Sequence, residues 1–85
     1  MMNDTVIIFA KIMTLDDLEG EEWRPVRNSK HYWVSSLGRI KSNNKHAMKI
    51  LAQKKNRYGY WRVCLSLVVG DAKYYLVSRL VAEAF

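Results

Sequence analysis

The chain has 85 residues, the size of one domain whose core must be thin. Its single cysteine excludes an internal disulfide, and one cysteine with two histidines does not supply four ligands for a structural zinc ion. Residues 1–22 carry one basic and six acidic residues, whereas residues 23–85 carry thirteen basic and two acidic ones, so the body of the chain should attract polyanions.

The N-terminal segment is an acidic leader, which we place over residues 1–21, before a domain over 22–85. Its apolar run at 6–10 is too short to cross a membrane and follows Asp4, which is not typical of a secretion signal. We therefore expect a cytoplasmic protein without a membrane partner. Residues 5–12 are a candidate extra strand, the rest of the leader predicts a turn or a helix start, and we interpret its acids as solvent-exposed.

Residues 32–35 and 39–42 predict two short strands joined by a turn, in which Gly38 can adopt a positive φ. Side chains alternate along a strand, so one set should be buried. This inner set is Tyr32, Val34 and Ile40. The opposite set, which includes two cations, is Trp33, Arg39 and Lys41.

The middle of the chain predicts a short strand at 49–53, a cationic stretch at 54–59 and the longest strand at 60–69. The apolar face of that longest strand consists of Trp61, Val63, Leu65 and Leu67. Its polar face consists of Tyr60, Arg62, Cys64 and Ser66. A turn at 70–71 and a returning strand at 73–77 complete the predicted hairpin, and Trp23, Trp61 and Tyr32 are our aromatic candidates for the core.

From Leu76 onward the apolar residues recur at helical spacing, which predicts a helix beginning at Ser78 or a neighbour. The apolar pattern is still running at Phe85, so we expect this helix to be cut there or to depend on something beyond it. The elements together predict an α+β fold. It would be a small antiparallel β-sheet of three to five short strands with one C-terminal α-helix packed on one face.

Several stretches together resemble a known family. They are EWRPV at 22–26, YWVSSLGRIKS at 32–42, GY at 59–60 with Val63 and Leu65 after it, and VSRLVAEAF at 77–85. Their order resembles the type-four nuclease-associated modular domain (NUMOD) that precedes the HNH nuclease in phage and bacterial homing endonucleases. The resemblance covers residues 22–85 and implies a sheet-based DNA-binding unit of phage or prophage origin.

Two departures from that family bear on catalysis. Ser78 stands where such proteins usually have histidine, and the HNH signature, with its metal-binding histidine and its asparagine, would lie beyond Phe85. We therefore expect a non-catalytic module that is the N-terminal part or remnant of an HNH homing endonuclease. It would be an endonuclease, and need a divalent metal, only if joined to a downstream HNH segment, and we expect no cofactor otherwise. His31 and His46 are interpreted as exposed loop residues, and Cys64 as a structural thiol.

Eight residues are our candidates for contact with double-stranded DNA: Arg39, Lys41, Lys54, Lys55, Asn56, Arg57, Tyr58 and Arg62. Arg39 and Lys41 are the candidates for base contact, because a β-ribbon fits the major groove. The basic stretch at 54–58 suits the phosphate backbone. Two other functions stay open: an RNA-binding domain, and a protein-interaction or dimerisation module that uses the exposed end of the helix.

Overall fold

The computed structural model describes residues 12–43, 47–68 and 70–85. These ranges contain seven strands and one helix. In chain order they are β1 (Trp23–Pro25), β2 (Tyr32–Ser35), β3 (Ile40–Asn43), β4 (Met48–Ile50), β5 (Lys54–Lys55), β6 (Trp61–Val68), β7 (Asp71–Leu76) and α1 (Val77–Ala84). The candidate strand over residues 5–12 lies outside the described residues except for its last position, and His46 also lies outside them.

The strands form two antiparallel sheets, one in the order β1-β2-β3-β4 and the other in the order β5-β6-β7. Within each sheet every strand pairs with the strand next to it in the chain, so short connections are sufficient to join them. The predicted α+β class with a C-terminal helix is confirmed, but the strands are more numerous than expected and divide between two sheets.

The division into two sheets occurs between β4 and β5. Residues 51–53, which we expected to continue a strand, instead connect the sheets. Gln53 turns its side chain back and donates from Nε2 to the carbonyl oxygen of Gly38, at 2.7 Å. β4 pairs with the preceding strand β3, whereas β5 pairs with the following strand β6, so the chain passes from one sheet to the other at this point.

One apolar core is shared by both sheets and the helix. Its buried residues are Val26, Val34, Ile40, Val63, Leu65, Val77 and Leu80. The alternation predicted for β6 is confirmed, since Val63 and Leu65 are buried while Cys64 and Ser66 are exposed. Tyr32 and Trp61 pack against this core as expected. Trp23 does not belong to it and lies on the other face of the four-stranded sheet.

Helix α1 follows β7 without a loop and packs Val77 and Leu80 into the core. Its last carbonyls are satisfied in part from β1, because Arg24 donates from Nη1 to the carbonyl oxygen of Ala84 at 2.8 Å. The same guanidinium lies 4.6 Å from the ring centroid of Phe85. Among the described residues, no helix has the length and apolar content needed to cross a membrane.

The core packing gives a matched stability test within β6. Leu65 is 1% exposed, whereas Leu67 points to the same side but is only partly buried. We expect Leu65→Ala to lower the free energy of unfolding by about 2–5 kcal/mol, because it leaves a cavity in a closed core. Leu67→Ala should cost clearly less in the same urea titration. Equal losses for the two variants would contradict the described core.

Candidate nucleic-acid interface

Arg39, which we predicted to contact DNA, is fully buried, so in this structure its side chain has no exposed surface for such a contact. Its Nε donates to Oε2 of Glu21 at 2.8 Å, and the two side chains form an ion pair with no exposed surface. Its other nitrogens donate to the carbonyl oxygens of Thr14, at 2.6 Å, and Asp16, at 2.9 Å. These bonds use the guanidinium as an internal anchor for the end of the acidic leader.

Alternation placed Arg39 on the correct face of the hairpin, but the leader covers that face. The Arg39 guanidinium carbon lies 5.4 Å from the ring centroid of Trp23, and the Nζ of Lys41 lies 4.1 Å from it. Trp23 in turn donates from its indole Nε1 to Oδ1 of Asp17, at 2.8 Å. The interpretation of the leader acids as simply solvated is therefore wrong for Glu21, which is enclosed with its partner.

The pKa of Glu21 shows which influence dominates at this anchor. Burial by itself raises the pKa of a carboxyl group, but here it is outweighed. Hydrogen bonds from the side chain of Arg39, the backbone of Leu18 and the side chain of Ser35, together with the charge of Arg39, hold the pKa below its ordinary value. Glu21 is accordingly ionised at neutral pH, which is the state that the buried arginine requires.

Removal of either partner of the buried pair should destabilise the domain strongly. We expect Arg39→Met to lower the free energy of unfolding at pH 7 by about 3–5 kcal/mol, because Glu21 is left buried without its counter-ion. Adding Glu21→Leu should recover part of that loss, so the double variant loses less than the sum of the single ones. Lys41→Met is the control and should change stability by about 1 kcal/mol or less. Additive effects in urea unfolding would show that the pair is not coupled.

The lowered pKa of Glu21 also predicts a pH dependence. A carboxyl group whose pKa is lowered by folding stabilises the folded state. This stabilisation is complete above the pKa of the group in the unfolded chain, about 4.3, and is lost as the pH falls through its pKa in the folded chain. The wild-type chain should thus lose stability on acidification below about pH 5. Glu21→Gln should be less stable than the wild type at about pH 7. Thermal unfolding should also show that this variant loses less stability than the wild type between about pH 6 and about pH 3. Glu19→Gln, at an exposed neighbouring position, should retain the wild-type profile.

The outer side of the three-stranded sheet presents what we call the basic face: Lys54, Arg62, Cys64, Tyr74 and Leu76. The strand registers place these residues together, because Lys54 and Leu76 flank Arg62 and Tyr74 lies opposite Cys64. None of the five is acidic. Val63 and Leu65 point away from this face into the core, so the face is turned outward.

Arg62 is the central cation of the basic face. Its guanidinium carbon lies 4.1 Å from the ring centroid of Tyr74, and its Nε is buried without a hydrogen-bond partner. Lys54 is its direct cross-strand partner. Neither ion pair found among the described residues involves Arg62 or Lys54. Neither charge is therefore neutralised by an acidic side chain of the described residues.

The remaining candidates from the cationic stretch are divided by the β5–β6 turn. Lys55 lies on the opposite face, with Nζ 5.7 Å from the ring centroid of Trp61. Asn56 organises the turn, since its Oδ1 accepts the backbone N–H groups of Tyr58, at 2.9 Å, and Tyr60, at 3.0 Å. Arg57 and Tyr58 are exposed beside it, and Arg57 donates from Nη2 to the hydroxyl of Tyr58 at 2.7 Å.

The structure does not gather all the predicted cations on one surface. Arg39 is buried, and Lys41 lies with Trp23 on the outer side of the other sheet. Lys54 and Arg62 share the basic face. Tyr74 was missed by the sequence reasoning, although the alternation of the strand at 73–77 could have placed it beside Arg62.

A groove of about 690 Å³ adjoins the basic face at Cys64. It lies between the sheets and is lined by His31, Tyr32, Ser42, Asn43, Lys49, Leu51, Cys64 and Ser66. The backbone N–H of Ser66 donates to the hydroxyl of Tyr32 at 3.1 Å and so connects the two sheets there. Lys49 therefore stands near the basic face, although the sequence reasoning did not single it out.

His31 and Cys64 are not arranged as ligands of a metal ion among the described residues. Both are exposed, so the histidine is placed as predicted, whereas the thiol is more open than expected. Within residues 12–43, 47–68 and 70–85, no three His, Cys, Asp or Glu side chains lie together in a way that could hold a metal ion.

Comparison with known proteins identifies the family. The NUMOD4 motif matches residues 21–66, which is more than half of the chain. The chain belongs to the NUMOD4 family. The NUMOD4 segment begins at Glu21 and contains both Arg39 and its acidic partner, as well as Lys54 and Arg62 of the basic face, but ends before Tyr74.

A solved structure is also similar to this NUMOD4 chain. It belongs to the HNH homing endonuclease I-HmuI and is described as showing DNA binding and cleavage by that protein. The similarity has a TM-score of 0.65 and 34% sequence identity, and covers 75% of this chain but 36% of the other. The chain therefore spans about a third of that endonuclease. No curated protein matched the chain.

Proposed function

We propose that this NUMOD4 domain binds double-stranded DNA through the basic face. The observation that carries the proposal is the direct cross-strand pairing of Lys54 with Arg62 on a face without an acidic residue. Like charges placed opposite each other on a sheet oppose folding. The phosphates of a duplex would neutralise this repulsion and would release counter-ions when they bind.

The dimensions of the sheet suit the major groove. Neighbouring strands are about 4.8 Å apart, so the three strands of this sheet span about 10 Å, which is narrower than a major groove of about 12 Å. Sheets are known to enter that groove with their side chains toward the bases. The similar solved structure is described as showing DNA binding and cleavage by an endonuclease, which supports DNA as the polyanion.

We further propose that the chain supplies binding rather than cleavage, as part or remnant of a phage or prophage HNH homing endonuclease. Two of its acidic side chains have structural roles: Glu21 neutralises Arg39, and Asp17 accepts a hydrogen bond from the indole N–H of Trp23. Cleavage of DNA needs a general base and a metal ion. In the HNH homing endonucleases that the chain resembles, an HNH segment supplies these groups. Incubation of plasmid DNA with this chain and Mg²⁺ should therefore leave the plasmid intact, whereas nicking would overturn this part of the proposal.

The salt dependence of binding tests the role of the basic face. We expect Lys54→Gln to weaken binding to duplex DNA of any sequence and to reduce the slope of log affinity against log salt by about 1, because one phosphate contact is lost. Lys73→Gln is the matched control. Lys73 lies on the opposite edge strand β7, pairs with Asp71 at 3.3 Å and is opposite Leu65, on the side away from Tyr74.

Fluorescence anisotropy over a series of salt concentrations measures both effects. A wild-type chain with no salt-sensitive binding would overturn the proposed function, as would equal slopes for the wild type and Lys54→Gln. Competition between duplex DNA and single-stranded RNA separates the RNA-binding alternative, which predicts that RNA displaces the duplex. Dimerisation through the helix end stays a prediction; Phe85 there is 42% exposed and has the guanidinium of Arg24 over its ring.

A further inference from the structure

The contact between Arg62 and Tyr74 is a diagonal one across two strands. Arg62 is paired directly with Leu76, and Tyr74 is two residues away on the same face, opposite Cys64. A long side chain can reach such a diagonal neighbour, and here the guanidinium carbon lies 4.1 Å from the ring centroid. The ring therefore fixes the direction in which the guanidinium leaves the sheet.

This stack uses the face of the guanidinium and not its N–H groups. Arginine presents its donors at the edge of a planar group, and a pair of them matches two acceptors side by side. In this protein the Arg62 Nε is buried and has no hydrogen-bond partner, so a ligand would meet the terminal guanidinium nitrogens, and neither ion pair of the described residues involves Arg62. The arrangement holds a planar cation in place while leaving hydrogen-bonding capacity for a ligand.

The position of Arg62 in the sheet indicates which part of a duplex it would meet. It lies on β6, the central strand, whereas Lys54 lies on the edge strand β5 and Tyr74 on the edge strand β7. When a sheet of this width enters the major groove, its central strand faces the base edges and its edge strands face the phosphates on either side. Lys54 is thus placed for the backbone and Arg62 for a base.

We propose that Arg62 reads a guanine in the major groove and that Tyr74 is the positioning residue that holds its guanidinium for this contact. The inference rests on the proposed binding of duplex DNA. Guanine is the base that offers two acceptors, O6 and N7, side by side in that groove, and arginine is the side chain that pairs with both. The phenol ring of Tyr74 supplies orientation and does not itself read the base.

The test begins with selection from a pool of duplexes that carry a short randomised segment. The wild-type chain should enrich duplexes with a fixed guanine, and replacement of that guanine by 7-deazaguanine should weaken binding by roughly 10-fold. Arg62→Gln should bind the original and the substituted duplex almost equally. A wild-type selection without a guanine, or a guanine preference that persists in Arg62→Gln, overturns the proposal.

The role of Tyr74 is tested by the ring and not by the hydroxyl. Tyr74→Phe should keep the wild-type discrimination between guanine and 7-deazaguanine, whereas Tyr74→Leu should reduce it several-fold, with the salt slope unchanged because no phosphate contact is lost. Circular dichroism and thermal unfolding should show both variants folded. Equal discrimination by Tyr74→Leu and the wild type would overturn the positioning role.

Two results separate this inference from the proposed function. Salt-sensitive binding that lacks any dependence on Arg62 or on guanine N7 would leave duplex binding intact and overturn the base-reading role alone. Absence of salt-sensitive binding by the wild-type chain would overturn both.

Discussion

The buried guanidinium of Arg39 joins the acidic leader to the four-stranded sheet. It draws the carboxylate of Glu21 and the backbone carbonyls of Thr14 and Asp16 onto the β2–β3 turn. An arginine without solvent contact must have acceptors for its donors, since a buried charge without them is very unfavourable. The acidic segment is therefore part of the folded domain from Thr14 onward, and the outer side of the four-stranded sheet is partly covered by it.

This anchor changes how the charge of the protein should be understood. The excess of positive charge in residues 23–85 is not spread evenly over the surface. One arginine is internal, Lys41 lies against Trp23, and Arg24 caps the helix and covers Phe85. Cations that look alike in the sequence thus serve either folding or binding, according to whether an acceptor or an aromatic ring within the chain engages them.

On the basic face, neither Lys54 nor Arg62 forms an ion pair with any of the described residues. Lys54 and Arg62 face each other across β5 and β6, and this arrangement opposes folding unless an external anion is present. A surface that costs stability in the free protein is typical of a binding site. Membership of the NUMOD4 family and the similarity to part of the I-HmuI endonuclease agree with nucleic acid as that anion.

Much of the local structure could be predicted from sequence periodicity. The alternation in β6 separated Val63 and Leu65 from Cys64 and Ser66, and the spacing after Leu76 indicated the helix, because such patterns reflect which side of an element is buried. The strand β1 was missed, as its three residues include a proline and show no clear alternation. The family resemblance rested on the same local stretches.

The sequence by itself determined the fold class, the inner faces of the strands and the excess of positive charge in the domain, since all three follow from residue order over short distances. The tertiary structure alone decided that Arg39 is internal, that the strands form two sheets and that Tyr74 holds Arg62. Each of these depends on contacts between residues far apart in the chain or between side chains on different strands. Alternation gives the face on which a side chain lies, but only the folded chain determines what covers that face.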